Sequence, residues 1–316
     1  MAKDSKVWDC IIIGSGACGL SAAINAASEG LSILVIDRAT IPGGLIGTTS
    51  LIENYPGFPD GIEGRVLTNR MVEQAMKFGA EFMMNTCVHG IEKEEDLFVL
   101  SIETLYHKIE DREILGISAH CVIVASGRNH KKLDLNNEQD LLESDKLRYG
   151  HPETHQPIKG HILVIGGGNS AGQAATWLTK QACSVTIVAP RLDAMSQYLI
   201  DRIKSPKSYV NLIIGRVIAI QQTSGDILIT SKDKEGLYHT VSADKVYCLI
   251  GLEVDDVFKD MKNEEGFLID TIDGIFVAGD CRNSSEKRCT AAVGEGVKAV
   301  SEVHKYLKEK KLSFVN

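Results

Sequence analysis

Val7-Trp8-Asp9-Cys10-Ile11-Ile12-Ile13 runs into Gly14-Ser15-Gly16-Ala17-Cys18-Gly19, and this stretch decides the fold. An alanine-rich segment, Leu20 to Ser28, follows with helical composition, then a second apolar run, Ser32-Ile33-Leu34-Val35-Ile36, that stops at Asp37. The arrangement reads as strand, glycine turn, helix, strand. Asp37 stands close to the ~20-residue spacing at which dinucleotide folds place an acid. Each residue type has a physical purpose. The glycines let the turn tighten and let backbone approach a pyrophosphate. The helix start offers unpaired N–H groups and a partial positive charge. The terminal carboxylate can accept hydrogen bonds from a ribose diol. A glycine motif alone is weak evidence, but both strands and the acid accompany this one.

The pattern recurs at His161. Ile162-Leu163-Val164-Ile165 is a strand, Gly166-Gly167-Gly168-Asn169-Ser170-Ala171 the turn, Gly172 to Lys180 a helix, and Ser184-Val185-Thr186-Ile187-Val188 the next strand. That strand ends in Ala189-Pro190-Arg191 rather than in an acid. Two further apolar strands end in small residues: Cys121-Val122-Ile123-Val124-Ala125-Ser126-Gly127 and Gly274-Ile275-Phe276-Val277-Ala278-Gly279-Asp280, the latter leading to a helix from about Ala291. Residues 128–160 are polar and read as a connector, and Val241 to Gly251 brings the chain back. The expected fold is α/β, with two three-layer dinucleotide-binding (Rossmann-like) domains. The second, residues 128–247, is inserted into a discontinuous first domain of residues 1–127 and 248–316.

The 316 residues suffice for about two domains. With 44% hydrophobic and 24% charged residues, the composition excludes a disordered or fibrous chain. The net charge of −8 argues against a partner read through phosphates, so no nucleic acid is expected. No apolar run approaches the ~18 residues of a membrane span, and the short run ending at Gly14 reads as a buried strand, not a leader; a cytoplasmic protein without a membrane partner is expected. The eight cysteines show no Cys-x-x-Cys and no metal-ligand spacing, so no metal is expected. Cys10, Cys121, Cys183 and Cys248 lie in apolar surroundings and read as reduced core residues.

GSGACGLSAAINAASEG, PGGLIGTTSLIENYPGFPDGIEG, VIVASG, GGGNSAGQAA, and GIFVAGD with KRCTAAVGEG together resemble the low-molecular-weight thioredoxin-reductase-like flavoproteins, in that family's order and over nearly the whole chain. The resemblance implies FAD in the first domain, a pyridine nucleotide in the second, a homodimer, and a rotation between domains. Carried over by position, it implies FAD against Gly14, Ser15, Gly16 and Ala17 at the pyrophosphate, with Asp37 on the adenosine ribose and Arg38 and Val88 nearby. Gly43, Gly44 and Leu45 pass by the ribityl and flavin, and Asn54 by the isoalloxazine. Ala125, Ser126 and Gly127 line the cofactor, and Gly279 and Asp280 meet the ribityl-phosphate region. Arg288, Cys289 and Thr290 are expected at the pyrimidine edge, where a helix start favours a reduced, anionic flavin.

Three departures bear on function. Where the family carries a redox Cys-x-x-Cys, this chain reads Leu147-Arg148-Tyr149-Gly150-His151-Pro152-Glu153-Thr154-His155, which has no thiolate to attack a flavin and no thiol to resolve it. Where NADPH-using members carry an arginine cluster for the 2′-phosphate, only Arg191 remains, in Ala189-Pro190-Arg191-Leu192-Asp193. Cys289 takes a place usually small or aliphatic, and Cys281 directly follows Asp280. Two readings stand for these thiols: a displaced catalytic pair (Cys281 with Cys289, or Cys289 with Cys18), or packing residues that happen to be cysteine. His151 and His155 can protonate a flavin or thiolate, but histidines in a polar connector read first as surface residues. The departures resemble a deep-branching subgroup that includes diflavin-linked disulfide oxidoreductases. In such a protein Gly166, Gly168, Asn169, Ser170, Arg191 and Tyr198 bind a second dinucleotide, FAD or NAD(P)H. A surface helix face serves equally well for Tyr198.

The expected function is FAD-dependent disulfide or dithiol redox chemistry by a non-standard route. Electrons come from a second flavin or a ferredoxin-like protein, and a thioredoxin-like partner is the counterpart. A ferredoxin/flavodoxin–NAD(P) reductase and a non-catalytic redox-sensing flavoprotein are the alternatives.

Overall fold

The computed structural model describes residues 6–105, 114–152, 158–181, 184–205, 210–223, 225–254 and 256–310. In chain order the elements begin with β1 (Trp8–Ile13), α1 (Ala17–Ser28), β2 (Ile33–Ile36), α2 (Gly44–Gly47), α3 (Gly64–Lys77), β3 (Glu81–Met83), β4 (Thr86–Glu94), β5 (Leu97–Thr104) and β6 (Ile114–Val124). Next come β7 (Asn129–His130), α4 (Glu138–Glu143), β8 (Leu147–Tyr149), β9 (His161–Ile165), α5 (Asn169–Lys180), β10 (Ser184–Ala189), α6 (Gln197–Lys204), β11 (Val210–Ile214), β12 (Arg216–Gln222), β13 (Ile227–Lys232), β14 (Tyr238–Ala243), β15 (Lys245–Cys248) and β16 (Leu252–Glu253). The chain ends with β17 (Ile275–Val277) and α7 (Cys289–Glu309). The three long helices that follow glycine or Gly-Asp turns, α1, α5 and α7, each start two or three residues earlier than their composition suggests. The last residues of each turn already adopt the first helical positions.

Two compact units result. The first comprises residues 1–129 and 254–316 and the second residues 130–253. The return crossing lies after Glu253 rather than at 247/248, because β15 pairs in register with β9, Lys245 opposite Ile162, and so belongs to the second sheet.

In the first unit the strand order is β3-β2-β1-β6-β5-β4, with β17 also on β6. β1 is parallel to β2 and β6, and β17 is parallel to the carboxyl half of β6, whose other half pairs antiparallel with β5. Alternation along β1 divides the core. Cys10 and Ile12 join a cluster of small residues from α1 and α7, while Ile11 and Ile13 join Phe98, Leu100, Val122 and Val277. Glycine in α7 is what allows its close packing on α1: a Cβ on Gly296 would stand 2.4 Å from Cys18 O.

The second unit holds an all-parallel sheet, β11-β10-β9-β15-β8, and a separate antiparallel sheet, β12-β13-β14. Ile162 and Val164 of β9 face α5 and α6, and Leu163 and Ile165 face Ile227 and Ile229 of β13. Each unit therefore sandwiches its central sheet, mixed in the first unit and all-parallel in the second, between two packed layers, the architecture expected of two dinucleotide-type domains. Cys10, Cys121 and Cys248 are fully buried thiols. Cys183 lies outside the described residues.

Candidate active site

The carboxyl ends of β1, β6 and β17 converge. Gly14, at φ +104°, ends β1, and a Cβ there would sit 2.3 Å from Ala125 O, so only glycine lets these two strand exits touch. A Cβ on Gly19 would stand 1.8 Å from Gly14 O, which sets α1 directly onto the turn. Gly16 caps α1 with no side-chain hydrogen bond, and a Cβ on it meets nothing within 4 Å. The helix thus starts on unclaimed N–H groups beside open space, the cradle an anion needs. Ala125 N donates to Ile13 O at 2.8 Å and Ala278 N to Val124 O at 3.0 Å, which aligns the three exits.

Asp37 has a structural task that its spacing did not reveal. Its Oδ2 accepts from Ser15 N and Ser15 Oγ, both at 2.7 Å, and its Oδ1 accepts from Ala39 N at 2.8 Å. The carboxylate therefore pins the glycine turn to the end of β2. Arg38, beside it, is exposed and donates to Asn129 Oδ1. The second loop closes on the first: Gly43 N donates to Ser15 O at 2.9 Å, and a Cβ on Gly44 would stand 2.9 Å from Gly16 Cα. Gly43 and Gly44 both take positive φ, and Leu45 follows at the start of α2. Val88 is buried among core side chains, which leaves its backbone as the part able to meet a ligand. Asn54 is exposed next to the half-buried Tyr55.

Gly279, at φ +80°, turns the chain after β17 under Cys18, whose Cβ would be 2.8 Å from a Cβ on the glycine. Its N–H is held by Glu295 Oε2 of α7 at 2.8 Å, a partner that motif spacing did not disclose. Burial raises the Asp280 carboxyl; Lys287 and Arg128 oppose this and Glu295 adds to it. Lys287 and Arg128 both stack on Phe267, at 4.5 and 5.7 Å from the ring centre. α7 begins at Cys289 with Arg288 as its cap, no capping side chain and no acid in its first turn; Thr290 is exposed there. Ser126 and Gly127 follow Ala125 at this mouth, Gly127 at φ +64°.

The expected catalytic cysteines are not brought together as a disulfide. Cys18, Cys281 and Cys289 are free thiols. Cys281 is 0% exposed in the cluster with Val122 and Val277 and donates to Ala278 O at 3.3 Å, whereas Cys289 packs against the α1–α7 cluster. Burial pushes both thiols up to about 11, with Asp280 adding to the effect, so neither is a thiolate at neutral pH. Desolvation also raises Cys18, helped by Cys281, Glu295 and Asp280. The helix start at Cys289 does not overcome its burial.

In the second unit, Gly166 takes φ +144° with its Cβ direction 2.3 Å from Leu249 O, and a Cβ on Gly167 would be 1.9 Å from Arg191 O. Asn169 Oδ1 accepts from Ser196 N at 2.6 Å, tying the turn to the loop after β10. Gly168 caps α5 with no side-chain bond and Ser170 is exposed beside it, so this helix start is also open. Arg191 pairs with Asp193 at 3.3 Å, both well exposed, so a carboxylate already offsets its charge. Tyr198 is 45% exposed with Arg202 5.1 Å from its ring centre, the surface-face arrangement.

The connector also differs from its sequence reading. His151 is half-buried rather than exposed: its Nδ1 is out of solvent and has no hydrogen-bond partner. Burial and the neighbouring His130 push it down to about 4. His155 lies outside the described residues. His130, Glu138, Tyr149 and Cys248 gather around this point, which no linear motif marks.

Two glycine turns at the carboxyl ends of parallel strands, one in each unit, are the architecture of two dinucleotide-type (Rossmann-like) domains. The chain belongs to the pyridine nucleotide-disulphide oxidoreductase family, whose model matches residues 8–296. It is 31% identical to thioredoxin reductase of Bacillus subtilis (strain 168) over 97% of each chain, and 30% identical to thioredoxin reductase of Listeria monocytogenes over 99% of this chain and 98% of that one. Its fold superposes on Lactococcus lactis thioredoxin reductase with a TM-score of 0.83 at 29% identity, covering 96% and 99% of the two chains. The bacillithiol disulfide reductase Bdr of Bacillus cereus shares the fold at 19% identity, with a TM-score of 0.76 and coverage of 95% and 99%. The protein is thus a flavin-dependent oxidoreductase of thioredoxin-reductase-like fold. Among its described residues no helix is long and apolar enough to cross a membrane, and no group of three or more His, Cys, Asp or Glu is placed to hold a metal ion.

Proposed function

We propose that the protein carries out disulfide or dithiol redox chemistry on FAD held by the first unit, without a Cys-x-x-Cys of its own and without dedicated recognition of NADPH. FAD, when bound, supplies the two-electron chemistry. The fit rests on the open α1 start at Gly16 and on the mouth formed by Gly14, Ala125 and Gly279. Ser15 and Asp37 hold the turn that meets the pyrophosphate. The α7 start at Arg288, Cys289 and Thr290 favours negative charge on a reduced ring.

The observation that carries the reading is the end of β8. There the chain places Gly150-His151-Pro152, with no cysteine from 147 to 155. Support for the absence of an NADPH clamp comes from Arg191, whose charge Asp193 already faces. A guanidinium so engaged has lost part of its attraction for a 2′-phosphate. Electrons then come from a second flavin, held at Gly166, Gly168, Asn169 and Ser170, or from a ferredoxin-like protein. The protein acts as a homodimer on a redox protein of thioredoxin-like type.

Two measurements test this. Acid-released flavin per chain approaches two if the second unit holds FAD, and one if a ferredoxin-like donor serves instead. Anaerobic NADPH or NADH is expected to leave the flavin oxidised over minutes. Rapid bleaching by either would overturn the reading and favour a ferredoxin/flavodoxin–NAD(P) reductase.

A further inference from the structure

β10 stops at Ala189 and Pro190-Arg191 follow, so the second glycine turn lacks the strand-end acid that Asp37 supplies to the first. Folding brings one back. Met195 N donates to Leu192 O at 3.0 Å, which closes a tight turn with Asp193 and Ala194 at its centre. Both ends of this turn are anchored. Met195 is buried, and a Cβ on Gly172 of α5 would stand 2.9 Å from its sulfur. Leu192 packs half-buried against the same apolar cluster. The next residue is fixed too, since Ser196 N donates to Asn169 Oδ1 at 2.6 Å.

The anchored turn borders the glycine loop. A Cβ on Gly167 would stand 1.9 Å from Arg191 O, and one on Gly168 would stand 4.0 Å from Ala194 O. Residues on both sides of Asp193 therefore lie against the backbone that meets a pyrophosphate in a dinucleotide fold. Arg191 and Asp193 are the only charged residues from 189 to 198. Their side chains are exposed and pair at 3.3 Å. The Asp37 carboxylate spends its oxygens on Ser15 and Ala39 N, whereas that of Asp193 faces solvent beside Arg191.

We propose that Asp193 is the specificity-determining residue of the second unit. Its carboxylate accepts hydrogen bonds from the unmodified diol of an adenosine ribose and rejects a ribose that carries a 2′-phosphate. The ligand class is an adenosine diphosphate moiety with an unmodified diol, the half that FAD and NADH share. This rests on the second-unit site of the reading above and names what that site selects.

The discrimination is electrostatic. A diol offers two O–H donors to a carboxylate, a charge-assisted contact. A phosphate monoester carries about −1.5 to −2 charges at pH 7 and meets a like charge at Asp193. Arg191 does not reverse this, because the phosphate approaches a neutralised pair rather than a cationic clamp. Removing the carboxylate ends the repulsion and releases the guanidinium to the phosphate.

The test is titration calorimetry of FAD-loaded protein with ADP and with 2′-phospho-ADP, on the unsubstituted chain and on Asp193→Ser. Where a second flavin already fills the site, the same two nucleotides are scored by the flavin they displace. ADP is expected to bind about tenfold tighter than 2′-phospho-ADP, a ratio that one hydrogen bond to a charged group supports. In Asp193→Ser the ratio is expected to fall to about one or to invert. FAD and NADH, titrated in the same way, identify the source, which is whichever binds more tightly. Equal binding of the two probes to the unsubstituted protein overturns the assignment. Tighter binding of 2′-phospho-ADP overturns both the assignment and the absence of NADPH recognition. An unchanged ratio in Asp193→Ser overturns the role of Asp193 while the reading above stands. If neither probe binds or displaces flavin, the assignment falls and the ferredoxin-like donor remains. Rapid bleaching of the flavin by NADH, with the ADP preference intact, overturns the donor reading and leaves Asp193 in its role.

Discussion

Replacing Asp37 by alanine tests the first cradle at its anchor. The carboxylate accepts three hydrogen bonds of 2.7–2.8 Å, two from Ser15 and one from Ala39 N. Ser15 is 0% exposed, so water does not replace the lost acceptor. A hydrogen bond to a charged group contributes about 1.5–3 kcal/mol, and a buried donor left unmatched costs about 1–3 kcal/mol. These contributions overlap, since both Ser15 donors share one oxygen, and together they indicate a loss of about 3 kcal/mol. For a unit of this size, that lowers the melting temperature by roughly 6–12 °C. The same change frees the turn that Gly43 N and Gly44 rest on, so flavin retention after gel filtration is expected to fall with it. Asp37→Asn keeps an acceptor and is expected to lose about half as much. Melting of the apo and FAD-loaded proteins by circular dichroism, with flavin content read at 450 nm, checks both effects. If Asp37→Ala melted within about 2 °C of the unsubstituted protein and retained its flavin, the anchoring argument would be wrong.

Two further outcomes follow from the side-chain environments. Cys281 is fully buried and Cys289 half-buried, with both thiols held near 11, so iodoacetamide at pH 7.5 is expected to label Cys289 slowly and Cys281 only after unfolding. Mass mapping of air-oxidised protein checks this, and a Cys281–Cys289 cross-link would restore the displaced redox pair. His151 is lowered from 6.5 to about 4 on folding, so the unfolded chain binds more protons between those values. Stability is therefore present above pH 6.5 and is lost as pH falls toward 4, and His151→Gln is expected to flatten that part of the urea-unfolding profile.

The glycine spacing before α1 and α5, with apolar runs on either side, determined by itself that this chain builds two dinucleotide-type domains. Those patterns are local: a strand period, a turn that only glycine tolerates and a helix start are all encoded within about 30 residues. The absence of a dithiol from 147 to 155 and the single arginine at 191 were equally legible, since they are matters of residue identity. What the linear pattern could not carry was distance between remote residues. Only the tertiary structure decided that Asp37 grips Ser15, that Glu295 takes the Gly279 N–H, that Asp193 offsets Arg191, and that Cys281 and Cys289 lie in separate apolar clusters. The same holds for His151, a surface residue by composition and a half-buried imidazole with an unpartnered Nδ1 in the fold. Protonation and reactivity depend on desolvation and on neighbours within a few ångströms, and folding brings those neighbours from distant parts of the chain.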